Sequence, residues 1–546
     1  MRKFSSYGPV DKDLHFFVPR TELVRKAEAH LRGEVPEKGG HFVTVWAPRQ
    51  CGKTWVMREV LHNIRQTDSF LAGMVSFQSA SQIETDEDML GHFVEKIGRS
   101  LSLDLPKIDS WDDLPKIFQR PIMDRPVILI LDEFDGLLED FINKFATQFR
   151  DIYINRHLDP KNPILLHGLA LIGVRSVLGI ENDSGSPFNV QRSLHIPHLT
   201  FDEVQSMFRD YERESGQRLE PAVVQRVFGE TRGQPGLVSW FGELLTETYN
   251  PGTDRPISEA NYEYVMLRAI QALPNNNILN IISKAKREPY RETLITLFRT
   301  HRKTEFSFDD PHHNYLYMNG VIDVEEAGQR LYVRFSCPFV QKRLFNYFSR
   351  TLFRNVDHLY DPMADIEAIL GEDQLDVLGL MELYQAYLRR NRDWLLRDAP
   401  RRKSDLRVFE AVFHFHLYMY LEGFFQDKGG KVVPEFPTGN GKIDLLIRYG
   451  DQRYALELKS FKDRYAYKQA LARAAEYARQ LALDRIYLIF FIESIDEENR
   501  SRLEVIFRDE EAGTEVVPFF VETGDSAGAW TESPNTPEIG MDRHET

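Results

Sequence analysis

The stretch His41-Phe-Val-Thr-Val-Trp46, followed by Ala47, Pro48, Arg49, Gln50, Cys51, Gly52, Lys53 and Thr54, decides how the first half of the chain is read. An apolar, β-branched run stops at a tight turn, and a helical pattern from Trp55 to Ile64 starts straight after it. Strand, loop and helix in that order make the setting of a phosphate-binding loop. Unpaired backbone N–H groups and the dipole of the opening helix both favour an anion at that point. Lys53 is expected to reach the β and γ phosphates of ATP, and the Thr54 hydroxyl to ligate Mg²⁺. The first loop position holds Ala47 where glycine is usual, and alanine resists positive φ, so a slightly altered loop start is expected.

Working outward, strands are predicted at 41–46, 73–78, 127–131, 169–174 and 193–197, with helices between them, as in a parallel sheet covered on both faces. Val127–Leu131 is continuously apolar and runs into Asp132-Glu-Phe-Asp135. Carboxylates at the carboxyl end of a central parallel strand face the crevice where ligands bind. Asp132 is assigned to Mg²⁺ through water, and Glu133 to polarising the attacking water.

Composition sets the outer limits. A chain of 546 residues, 42% hydrophobic and 12% aromatic, is too long for one core and suggests three or four domains. Mean hydropathy of −0.40 and apolar runs of only strand length argue against membrane insertion. The N-terminus carries no apolar signal core, and two distant cysteines, Cys51 and Cys337, fit a reducing cytoplasm. A formal charge of −15 counts against indiscriminate coating of nucleic acid, so any such contact must use local basic patches.

Residues 15–250 resemble the AAA-like P-loop ATPases, close to the STAND-type signalling branch. The resemblance rests on Val18-Pro-Arg-Thr-Glu-Leu23, Ala47–Thr54, Leu131-Asp-Glu-Phe-Asp135 and Gly233-Gln234-Pro235. It implies strand order 5-1-4-3-2, a helical lid, Arg175 in the γ-phosphate-sensing position and Pro235 against the adenine. Ring-forming relatives supply an arginine finger, for which Arg150 and Arg156 are weak candidates, and homo-oligomers are possible. The core is assigned to 1–197 and the lid to 198–255, opened by the capping box Thr200-Phe-Asp-Glu203.

From 256 to 350, helices precede a hairpin of Val321–Val324 and Arg330–Phe335, and the pattern resembles a winged helix. Two roles stay open: contact with duplex DNA, through Arg299–Lys303 or the wing, or packing on the ATPase as an autoinhibitory module. A helical connector, 351–403, holds the densest basic run, Arg389 to Arg407.

Residues 404–523 carry the second chemical signal. A helix to about Phe425 precedes strands ending at Glu435, starting at Asp444 and containing Glu457, Leu458 and Lys459; a helix from 466 to 481 and the strand 485–490 follow. Period-two alternation sets Glu457 and Lys459 on one face and Leu458 on the other. Two carboxylates and an ammonium on one surface suit Mg²⁺ or Mn²⁺ and a phosphodiester. The order resembles the PD-(D/E)XK nuclease fold, although Ile443 stands where the family name has proline. That resemblance implies metal binding by Asp444, Glu457 and the Leu458 carbonyl, catalysis by Lys459, and a supporting Gln469, with Tyr477 along the same helix face. Glu410 and Glu435 are accessory candidates. The tail, 524–546, reads as disordered.

The expectation is therefore an α/β multidomain chain: an ATP-binding, nucleotide-controlled, Mg-dependent nuclease acting on DNA. Its rival is a STAND-type regulatory switch whose C-terminal domain binds nucleic acid or a protein without cutting.

Overall fold

The computed structural model describes residues 1–35, 38–156, 158, 163–173, 191–299, 304–352, 366–371, 374–395, 410–426, 428–435, 444–509 and 513–524. In chain order the first elements are α1 (Thr21–Arg32), β1 (Phe42–Trp46), α2 (Lys53–Arg65), β2 (Leu71–Ser76), α3 (Asp86–Leu101), β3 (Val127–Asp132), α4 (Glu139–Asn155), β4 (Leu166–Gly173) and β5 (Gln191–His195). Then come α5 (Phe201–Ser215), α6 (Pro221–Thr231), α7 (Pro235–Glu243), α8 (Glu259–Gln271), α9 (Asn276–Ala285), α10 (Tyr290–Arg299), α11 (Pro311–Met318), β6 (Ile322–Ala327), β7 (Arg330–Phe335) and α12 (Pro338–Leu352). The remainder is α13 (Ile366–Ile369), α14 (Val377–Leu395), α15 (Glu410–Phe425), β8 (Lys431–Glu435), β9 (Asp444–Tyr449), β10 (Gln452–Ser460), α16 (Arg464–Gln480), β11 (Arg485–Ile492), α17 (Glu497–Leu503), β12 (Phe507–Asp509) and β13 (Thr514–Glu522).

Two compact units divide the chain. The first is Met1–Ala285 with Glu305–Phe339, and the second is Lys286–Thr304 with Val340–Thr546. The stretch read as one winged helix is thus shared out: α11 and the β6–β7 hairpin belong to the first unit, α10 to the second.

In the first unit the sheet order is β5-β1-β4-β3-β2, every neighbour parallel. This is the expected 5-1-4-3-2. Strand β3 is buried along its whole length, which is why its sequence does not alternate. Its residues still divide by period two: Ile128 and Ile130 pack with α1 and α2, whereas Leu129 and Leu131 pack with α3 and α4. Strands β2 and β5 begin two residues, and β4 three residues, before their predicted starts. The capping box of α5 forms as read, with Thr200 accepting from Glu203 N–H and Glu203 bonding back.

In the second unit the sheet order is β12-β13-β11-β10-β9-β8. Strands β8, β9 and β10 form an antiparallel meander; β11 joins β10 in parallel after α16, and β13 joins β11 in parallel. Small and aromatic residues of α16 (Tyr467, Ala470, Ala474, Ala475) cover the face that carries Ala455, Leu488 and Phe490. On α15, Phe413 and His414 lie against Phe491. Among the described residues, no helix is long and apolar enough to cross a membrane.

Candidate functional site

The loop between β1 and α2 owes its shape to two residues with positive φ, Gln50 (58°) and Gly52 (86°). Ala47 is not among them, so alanine costs nothing at its position, and it is buried. Gly52 is the N-cap of α2, whose first backbone bond runs from Val56 N–H to Gly52 O at 3.0 Å. The N–H groups of Lys53, Thr54 and Trp55 precede that bond and form the open end of the helix.

Lys53 folds back into the loop. Its Nζ donates to the carbonyls of Ala47 (2.7 Å) and Pro48 (3.0 Å), and enclosure lowers its pKa. Two neutral acceptors hold an ammonium that a polyphosphate would hold more strongly. The Thr54 hydroxyl donates to Asp132 Oδ2 at 2.8 Å, while Asp132 Oδ1 accepts Glu133 N–H at 2.9 Å. Glu133 is itself in the left-handed region (φ 55°, ψ 34°), which turns its side chain out of the strand direction. Partial burial, then the charges of Asp132 and Asp135, raise its pKa above the ordinary glutamate value. Thr54 and Asp132 therefore offer hard oxygen atoms side by side, a fit for Mg²⁺ beside the loop.

The turn before α7 sits directly on this loop. Gly236 N–H donates to Gln50 O (3.1 Å), and Gln234 Nε2 donates to Arg49 O (3.0 Å). The same Gln234 caps α7, its side chain accepting Leu237 N–H. Gly233, at φ 71°, has room for no side chain, because a Cβ would meet Leu199 O at 1.9 Å. The sequence singled out Pro235, which occupies the first turn of α7; the residues that hydrogen-bond to the loop are its two neighbours, Gln234 and Gly236.

A second tether was not read from the sequence at all. Phe4 and Phe16 of the N-terminal segment pack, in tilted and edge-on ring contacts, against Phe208 and Tyr211 of α5. Ser6 donates to Glu243 on α7, while its carbonyl accepts Gln50 Nε2 at 3.1 Å. The only trace in the sequence is a cluster of aromatics at 4, 7, 16 and 17 in an otherwise polar segment.

Several assignments fall elsewhere. Arg175 lies outside the described residues. Arg156 is buried, not a surface arginine: its guanidinium donates to Gly40 O (2.9 Å) and His167 O (3.0 Å) and lies over the Tyr153 ring. That geometry ties the end of α4 to β4 and withdraws it from any finger role.

In the second unit, Lys459 Nζ stands 2.7 Å from Glu457 Oε1, with side-chain exposures of 9% and 0%. Both share the face of Ala455 beneath α16, and Leu458 is fully buried on the other face. Asp444 is the Cα partner of Glu457 across β9–β10, and Glu435 that of Asp444 across β8–β9. Three acidic residues thus occupy one row of three adjacent strands, where directly opposed Cα atoms lie about 4.5–5.5 Å apart. The side chains of Asp444, Glu435 and Glu410 are outside the described residues. Among the described residues no group of three or more His, Cys, Asp or Glu is arranged to hold a metal ion. Gln469 is exposed on α16 whereas Tyr477 is buried, so they do not share a face. Eight residues turn a helix about 80° beyond two full turns.

Residues 5–248 match the model of the AAA-like domain. No curated protein matches the chain. Among solved structures, the Walker-type ATPase of Pyrococcus abyssi is similar at 14% identity, covering 62% of this chain and 99% of its own, with a TM-score of 0.39. Cdc6p from Pyrobaculum aerophilum is similar at 15% identity over 62% of this chain and 95% of its own, with a TM-score of 0.36. The Aeropyrum pernix Orc1 protein, solved in complex with DNA, gives 17% identity, 60% and 92% coverage, and a TM-score of 0.32.

Proposed function

We propose that this chain is an ATP-controlled, metal-dependent nuclease acting on DNA. The observation that carries the cleavage reading is the row on β8–β10. Glu457 is buried and ion-paired to Lys459 on one face, and Asp444 stands opposite it in the ladder. Burying a carboxylate and an ammonium carries a desolvation cost that their attraction need not repay, so stability alone is a weak reason for the pair. Carboxylates in that row would hold a divalent cation, Mg²⁺ or Mn²⁺, with the Leu458 carbonyl as a further oxygen donor. The cation would supply Lewis acidity at the scissile phosphate. Lys459, released from Glu457, would orient the phosphate or the attacking water. At the other centre the amides of residues 50–54 and Lys53 would cradle the triphosphate. Thr54 and Asp132 would hold its Mg²⁺, and Glu133 would accept the proton of the attacking water. Gln234 and Gly236 link the loop to the lid, which gives nucleotide state a route out of the site.

The closed Glu457–Lys459 pair favours one other reading, a regulatory ATPase whose second unit binds nucleic acid or a protein without cutting it. Cleavage of supercoiled DNA with Mg²⁺ and ATP separates the two. Asp444→Ala is expected to abolish cutting and Lys53→Ala to remove only its dependence on ATP. Undiminished cutting by Asp444→Ala rejects the assigned centre, and retarded but uncut DNA with the unaltered chain supports the binding module.

A further inference from the structure

A cleft of about 750 Å³ runs along the outer edge of the first unit's sheet, between α2 and α3, and ends at Asp132. Its walls carry Arg58 and Arg65 from α2 and Arg99 from the end of α3, with apolar floor from Leu61, Phe70 and Leu101. A chain with a net charge of −15 here sets three guanidinium groups around one concavity. Their compensation is thin. Arg65 is anchored by two neutral carbonyls, Ala72 O (2.9 Å) and Ser100 O (3.1 Å). Among the described residues Arg99 pairs only with Glu95 one turn away, an exposed ion pair of the kind that contributes little and exchanges readily. Among the described residues no carboxylate pairs with Arg58. The one acid on the wall, Asp132, already takes the Thr54 hydroxyl and the Glu133 amide.

The cleft is not a dock for an added strand, although β2 is the sheet edge. Ser100 Oγ accepts Met74 N–H (2.8 Å) and donates to Met74 O (3.0 Å), while Ala72 O is taken by Arg65. Side chains thus close the edge that a strand would need.

We propose that this cleft is a second anion site, distinct from the phosphate-binding loop, that takes a phosphate-bearing small molecule of about mononucleotide size. Guanidinium forks recognise phosphate bidentately, and the volume lies within the range of small-ligand pockets. The apolar floor would accept the ligand's uncharged part. The concavity is open to solvent between two helices, and its size is that of a discrete ligand.

The test uses the full chain carrying Lys53→Ala, which disables the loop, titrated calorimetrically with inorganic pyrophosphate. Saturable binding is expected, weakened about tenfold or more by adding Arg58→Ala or Arg99→Ala. Arg58 and Arg99 are both exposed and lie on different helices, so either variant carries the test if the other melts early. With Lys53 intact, each arginine variant should bind ATP like the unaltered chain; failure of the unaltered chain to bind ATP would count against the loop and leave the cleft result standing. No pyrophosphate binding by Lys53→Ala, or binding indifferent to both arginines, overturns the proposal. So does arginine-dependent binding of a twelve-residue oligothymidylate without pyrophosphate binding, which would make the cleft a nucleic-acid contact.

Discussion

Replacing Gln234 tests whether lid and loop act as one device. Its carboxamide does two jobs: Oε1 caps α7 at Leu237 N–H, and Nε2 donates to Arg49 O. The Gln234→Ala variant loses a cap of about 1 kcal/mol, leaves the Leu237 N–H buried without an acceptor, and removes a bond of about 1 kcal/mol to the loop. The sum is about 2–3 kcal/mol, or a melting point lower by about 3–4 °C for a unit of this size. Gln234→Glu separates the jobs. A carboxylate still caps Leu237 but has no proton for Arg49 O, so it should melt higher than the alanine variant. Both variants free the loop, and losing about 1.4 kcal/mol of preorganisation weakens ATP binding about tenfold. Scanning fluorimetry with and without ATP, and titration with a fluorescent ATP analogue, read the two quantities. Unchanged ATP affinity in both variants would refute the coupling, whatever happened to the melting point.

Glu133→Gln should keep ATP binding and lower hydrolysis by about 100-fold or more, since it removes the proton acceptor. Because burial and neighbouring acids raise the Glu133 pKa, the acid limb of the hydrolysis rate should lie above the ordinary glutamate value of 4.5; a limb at or below it contradicts the assignment. His416, fully buried, has its pKa pushed down to about 3 by desolvation. The unfolded chain therefore binds this proton first, and the stability it contributes, complete above about pH 6.5, falls by about 1.4 kcal/mol per pH unit on acidification towards 3. Urea unfolding of the second unit followed from pH 7.5 to 5 should show that slope, shallower by one proton in His416→Phe; identical slopes reject it. Arg156→Met should cost about 3 kcal/mol by orphaning the Gly40 and His167 carbonyls, and should leave hydrolysis per folded molecule intact. A catalytic loss without a melting shift would return Arg156 to the finger role.

What the sequence made legible was local. The strand, turn and helix of the loop and the run ending in Asp132 follow from neighbours in the chain, and their chemistry follows from residue type. Strand order is tertiary; no periodicity contains 5-1-4-3-2, and only the resemblance supplied it. Gln234, Ser6 and Arg156 were invisible or misjudged because each works through a backbone carbonyl bond between residues far apart in sequence: Gln234 and Arg156 donate to one, and the Ser6 carbonyl accepts from Gln50. Glu457 and Lys459 mark the boundary between the two kinds of knowledge. Alternation alone puts them on one face, and that is how the structure has them. Alternation cannot say that α16 roofs the face, and the roof changes the physics. Exposed, the pair would be a weak cross-strand contact with little consequence for anything. Buried at 2.7 Å, it is a charge pair whose partners cannot be removed singly without leaving an uncompensated ion. On the proposed nuclease reading, a cation held in the row would compete with Lys459 for Glu457, and the ammonium so released would then be available to the substrate.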